Sequence, residues 1–115
     1  MNENKNTAQG KIAVTATGGS MDALVSEQFG RCPYFIIVDP ETMKFEAVSN
    51  LGEQMQSGAG PKAASLIISK GVQVLITGHV GDKAEEALNK GGITIVPGYK
   101  GSMKVKEAVN NYLSN

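Results

Sequence analysis

Tryptophan is absent from this 115-residue chain, cysteine and histidine occur once each, and proline four times. A single thiol, Cys32, excludes an internal disulfide and a four-cysteine zinc or iron–sulfur site built by one chain. Metal chemistry therefore has to draw on Cys32, on His79, on a second chain, or on a cluster that brings its own ligands. Net charge is missing as well, because eleven Lys and Arg offset eleven Asp and Glu. That balance removes the electrostatic footprint of a duplex nucleic-acid binder. No apolar run approaches the roughly 20 residues of a membrane span. The polar start, MNENKNTAQG, lacks the apolar stretch of a secretory signal. The expectation is a soluble cytoplasmic protein that contacts neither nucleic acid nor membrane.

What the chain does have is glycine, at 14 positions, and 41% hydrophobic residues. Its length suits one domain with a core that needs no staple or cofactor to fold. Residues 1–10 are polar, Asn-rich and aperiodic, and predict a disordered tail; residues 11–115 predict a single domain. Apolar or alternating runs at 12–16, 34–38, 44–48, 72–77 and 93–96 predict five strands. The turn residues Asp39 to Thr42 make a hairpin of the second and third.

Three helices are predicted after Asn50. Pro61 suits the first position of a helix over 62–70. Asp82 with Glu85 reads as a capping-box-like start. Ser102 reads as the cap of a last helix with the stripe Val105, Ala108, Val109 and Tyr112. Right-handed crossovers then predict a mixed five-stranded α/β sheet of order 3-2-1-4-5, with strand 2 antiparallel.

In such a sheet, ligands bind beyond the carboxyl ends of the parallel strands. Segments 17–33, 51–61, 78–82 and 97–102 all fall at that rim, whereas the opposite rim receives short turns. Cys32 and His79 belong to the rim, beside Met21, Met55 and Met103. Thiolate, imidazole and thioether are the ligands that suit iron–sulfur chemistry. Helix starts near Pro61, Asp82 and Ser102 add free amides, and Arg31, Lys62, Lys100 and Lys104 add charge. Each signal also has a plain structural reading. A lone cysteine is often a small buried hydrophobe, and Gly58, Gly60, Gly78 and Gly81 serve turns and helix starts.

The string Gln28-Phe29-Gly30-Arg31-Cys32-Pro33-Tyr34-Phe35 resembles the Phe-Gly-Arg-x-x-Tyr-Phe signature of the dinitrogenase iron–molybdenum cofactor biosynthesis family. The likeness continues through Gly58-Ala59-Gly60-Pro61-Lys62, Thr77-Gly78-His79-Val80-Gly81 and Gly91-Gly92-Ile93. It implies a NifX-like domain with a ribonuclease-H-like α/β fold. It also implies binding or carrying of an iron–sulfur or iron–molybdenum cofactor precursor, held transiently, between donor and acceptor proteins of the metallocluster. On this reading the chain is not an enzyme, and it acts as a monomer or weak homodimer. Cys32 and His79 are the expected metal ligands. Arg31, Gly58, Gly60, Lys62, Gly78 and Gly81 are expected to support the cluster. Many relatives carry histidine where Gln28 stands, so one potential ligand is missing here.

Three other readings compete. Two-metal hydrolysis needs clustered carboxylates, and the strand Ile12 to Ala16 has none. A Cys32–His79 pair could make a reactive thiolate, yet no segment marks an oxyanion hole. An interaction module with the same fold and no cluster is the principal alternative.

Overall fold

The structure, a computed structural model, describes residues 10–114. The tail expected over residues 1–10 lies outside them except for Gly10, whose N–H donates to Gln73 Oε1 at 2.8 Å. The chain runs β1 (Lys11–Ala16), β2 (Tyr34–Val38), β3 (Phe45–Ser49), α1 (Ala59–Ser69), β4 (Val72–Ile76), α2 (Asp82–Lys90), β5 (Thr94–Val96) and α3 (Val105–Leu113). The sheet order is β3-β2-β1-β4-β5. β1, β4 and β5 are parallel, and β2 is antiparallel to both its neighbours, β1 and β3. This is the predicted topology.

The period-2 alternation of strands sorts the core into two layers. Ile12, Val14, Ala16, Ile36, Val38 and Ile76 point to one face and meet Val105, Ala108 and Val109 of α3. Ala13, Phe35, Ile37 and Leu75 point to the other and meet Ala63, Ala64 and Ile67 of α1 with Ala84 and Leu88 of α2. β1 is buried on both faces because it lies at the centre of the order. Among the described residues no helix is long and apolar enough to cross a membrane.

Helix starts differ from expectation. α1 begins at Ala59, so Pro61 takes the third helical position instead of the first. That position is tolerated because first-turn amides have no intrahelical partner. Gly58 supplies the left-handed residue ahead of it, at φ 78°. Gly81, rather than Asp82, precedes α2, and neither Asp82 nor Glu85 caps it. At α3 the cap position is Lys104, not Ser102, and its N–H donates to the Glu107 carboxylate at 2.8 Å. At α3 the arriving strap places the first turn, since Val105 N–H donates to Ala23 O and Lys106 N–H to Met21 O.

α1 and α2 pack on one another at their beginnings. A Cβ on Gly60 would lie 2.8 Å from the Ala84 Cβ, so hydrogen is the only side chain that fits. Gly60→Val is therefore expected to destabilise the fold by about 1–3 kcal/mol through overpacking. Urea denaturation checks this: the midpoint falls, and Gly81→Val, at a position with open space around it, shifts it much less.

Candidate functional site

The rim at the carboxyl ends of β1, β4 and β5 is crossed by the long connection between β1 and β2. Its residues 23–29 are stitched down by backbone bonds. Val25 N–H donates to Met103 O, Val105 N–H to Ala23 O and Ser26 N–H to Thr15 O. His79 N–H donates to Glu27 O at 2.6 Å, and Phe29 N–H donates back to His79 O at 3.0 Å. Gly78 is required at this crossing, since a Cβ there would lie 2.5 Å from Glu27 O. Beneath the strap, Thr15 Oγ1 donates to Ser26 O at 2.6 Å and shares a hydrogen bond with Thr77 Oγ1 at 2.8 Å. The Lys106–Asp22 ion pair at 2.8 Å ties the strap to α3. That pair holds the Asp22 carboxyl below its usual range. The tie is therefore present at neutral pH and lost as acid protonates Asp22.

His79 is exposed, with both backbone polar groups occupied by the strap. The loop is thus rigidly held while its imidazole faces solvent. Two residues on, Gly81 joins Phe29, Gly60, Pro61, Asp82, Lys83 and Ala84 around a shallow depression of about 330 Å³. The starts of α1 and α2 converge on this depression. The amides of Asp82, Lys83 and Ala84 lie in the first turn of α2, where helical N–H groups lack partners. Those of Ala59 and Gly60 do the same for α1. Two adjacent positive helix ends favour an anion. The Asp82 carboxylate opposes that field, and Lys83 offsets it.

Cys32 stands two residues before β2, at the rim as expected, but its side chain faces the core. It is 0% exposed and belongs to the core layer under α1 and α2. Desolvation pushes its thiol from 9.0 up to about 12. Enclosed in this way, the thiol does not reach the surface of the rim in the structure. The physical reason is the turn at Gly30, φ 96°, which folds Arg31 outward and Cys32 inward. The Asn50 side chain locks that turn. Its amide donates to Gly30 O at 3.0 Å and to Cys32 O at 2.8 Å, while its oxygen accepts from Gly52 N–H at 3.1 Å.

Arg31 and Lys62 also stand apart from the depression. The Arg31 guanidinium donates to the carbonyls of Glu53 (3.0 Å), Met55 and Gln56, and so clamps the loop leading into α1. Lys62 lines a separate groove with Asn50, Leu51, Ser65 and Ser69. Gly58 and Gly60 set the start and the packing of α1. Asn50, Glu27 and Phe29 organise the site without having been singled out as site residues. The Asn50-Leu51-Gly52 run is an Asx-turn signature and was the available signal for the first. The Glu27 carboxylate accepts from Gly101 N–H at 2.5 Å, a pairing 74 residues apart that no local pattern announces.

Residues 10–115 match the profile of a family described as dinitrogenase iron-molybdenum cofactor. The apo form of the orange protein from Desulfovibrio gigas is 40% identical, with a TM-score of 0.88 over 92% of this chain and 88% of that one. A candidate NifB protein from Thermotoga, solved by NMR, is 32% identical, with a TM-score of 0.81 over 93% of this chain and 90% of that one. An uncharacterized protein of Methanocaldococcus jannaschii is 34% identical over 74 residues, 62% of this chain. The match spans 63% of that relative's length.

Burial of Cys32 has two measurable consequences. The native thiol is expected to resist alkylation at pH 8 and to react at the unfolded rate once denatured. Because the folded thiol titrates near 12 and the unfolded one near 9.0, stability is unaffected below pH 9 and falls as pH rises from there. Asn50→Ala should cost about 1–3 kcal/mol, since buried polar groups lose their partner, and should speed alkylation of Cys32. Unchanged protection in that variant would refute the Asn50 lock.

Proposed function

The chain belongs to the dinitrogenase iron-molybdenum cofactor family, and from that premise we propose that it binds and carries a metallocluster as a non-catalytic accessory protein. The cargo is an iron–sulfur cluster of the nitrogenase-precursor type, received from a donor protein and passed to an acceptor. Membership supports a cofactor-related role, and the apo form known for the orange protein supports a group that can be taken up and removed. The observation that carries the proposal is the rim arrangement: one exposed residue, His79, two positions ahead of Gly81 at the depression where two helix starts converge.

This donor set fits a cargo that arrives assembled. Among the described residues, no three His, Cys, Asp or Glu side chains gather to hold a bare metal ion. A cluster with its own sulfides needs only a docking ligand and compensation for its negative charge. His79 supplies the ligand, and the amides of Asp82 and Lys83 with those of Ala59 and Gly60 supply the compensation. Few protein ligands mean that the cargo can leave, which a carrier requires. Gly78 and Gly81 keep this loop close to the strap and open to solvent. Cys32 supports the site from the core, through the Gly30 turn, rather than by coordination.

Anaerobic titration with a synthetic iron–sulfur cluster tests this, read as visible absorbance and iron retained after desalting. Wild-type protein is expected to retain iron at a fixed ratio. His79→Ala should weaken retention roughly tenfold or more, as the loss of a metal-site interaction does, and Cys32→Ala should leave it unchanged. If Cys32→Ala abolishes retention while His79→Ala does not, the ligand assignment is reversed. No retention by the wild type under reducing conditions would favour an interaction module on the same fold.

A further inference from the structure

Two edges end the sheet, and they are not equivalent. β5 is short, only Thr94–Val96, which is one of the ordinary protections of an edge. β3 is longer, Phe45–Ser49, and contains no Pro, Lys or bulge. Its bonding pattern follows from two backbone contacts. Asp39 N–H donates to Lys44 O, and Asn50 N–H donates to Pro33 O. With the β2–β3 register, this makes residues 44, 46, 48 and 50 the ones bonded to β2. Antiparallel alternation then turns the N–H and C=O groups of Phe45, Ala47 and Ser49 away from the sheet. Phe45 is 46% exposed, and Met43 beside it 39%.

We propose that this edge pairs with the same edge of a second copy, antiparallel, about a two-fold axis at Ala47. In that register Ala47 faces Ala47 of the second copy, and Phe45 faces its Ser49. Small side chains meet on the axis and each bulky ring lies over a small residue. Every outward group of the three residues finds a partner, because facing residues of such a pair exchange two bonds. Charge selects this register over its neighbour. Lowering the sum of paired positions by two sets Glu46 directly opposite Glu46 of the second copy, and like charges directly opposed destabilise a strand pair; raising it by two centres the pair on Val48 and leaves Phe45 facing Leu51, beyond the strand. In the proposed register Glu46 faces Val48, and its own chain's Lys70 already neutralises it at 2.9 Å.

One short strand pair buries less than the roughly 1,200 Å² of stable complexes, so the dimer is weak and concentration-dependent. The two-fold axis is perpendicular to the sheet, which sends the two rims to opposite ends. Each copy's candidate site is therefore complete on its own, and the pairing is independent of what that site binds.

The test is sedimentation equilibrium of the full chain from micromolar to millimolar concentration, with amide exchange read by NMR. The wild type should rise from 12.1 kDa towards twice that mass, with exchange slowing at Phe45, Ala47 and Ser49. Ala47→Pro removes only an outward N–H, leaving the β2 ladder intact. Ala47→Lys sets like charges against each other on the axis. Both should remain monomeric at every concentration with an unchanged thermal midpoint. If Ala47→Pro fails to fold, Ala47→Lys decides alone, since it changes only an exposed side chain. A wild type that stays at 12.1 kDa throughout, or association that persists in Ala47→Lys, overturns the proposal.

Discussion

The crossing of the β1–β2 connection over the loop after β4 is the constraint on which the rest of the rim depends. Backbone groups at the ends of parallel strands have no ladder partner, and burying them unpaired is costly. Here the strap supplies partners, bonding His79 on both sides and closing over the paired hydroxyls of Thr15 and Thr77. Two backbones can approach this closely only because residue 78 has no side chain. Once the crossing forms, His79 is held by its main chain and its ring is left to solvent. The start of α2 follows within three residues.

A second constraint, the close packing of α1 against α2, brings their positive ends together. Gly60 against Ala84 is the point of contact, and the amides of both first turns then border the same depression as Phe29. Packing and electrostatics are coupled here. The glycine that lets the helices touch also concentrates the field that would attract an anion. Arg31 is engaged by loop carbonyls, and Lys62 lines a different groove. The rim thus relies on backbone dipoles, which are fixed in place and cost no side-chain ordering.

Much of the architecture was legible in the chain. Strand positions, their parallel or antiparallel sense and their order follow from hydrophobic period, turn residues and crossover handedness, and the structure has all of them. The stripe at Val105, Ala108 and Val109 is the buried face of α3. Helix starts were less legible, because Ser102 and Asp82 carry a local preference that the arriving chain does not use. At Lys104 the strap residue Leu24 bridges the cap position instead. Side-chain roles at the rim were least legible. A residue's place on a loop is a matter of sequence, but whether its side chain points out or in is set by the turn it follows and by what packs over it.

Cys32 and His79 show where that division falls. Composition alone established that the chain has one thiol and one imidazole, and so no ligand set of its own for a bare metal ion of the four-cysteine kind. The alternation of apolar residues established the sheet that brings both to one rim. Only the tertiary structure decided that the thiol is enclosed and the imidazole exposed. Burial depends on what packs around a residue, and for Cys32 that comes from Asn50, 18 residues on, and from α1. Local periodicity carries no record of such contacts, because they are made between segments that meet only after the fold has closed.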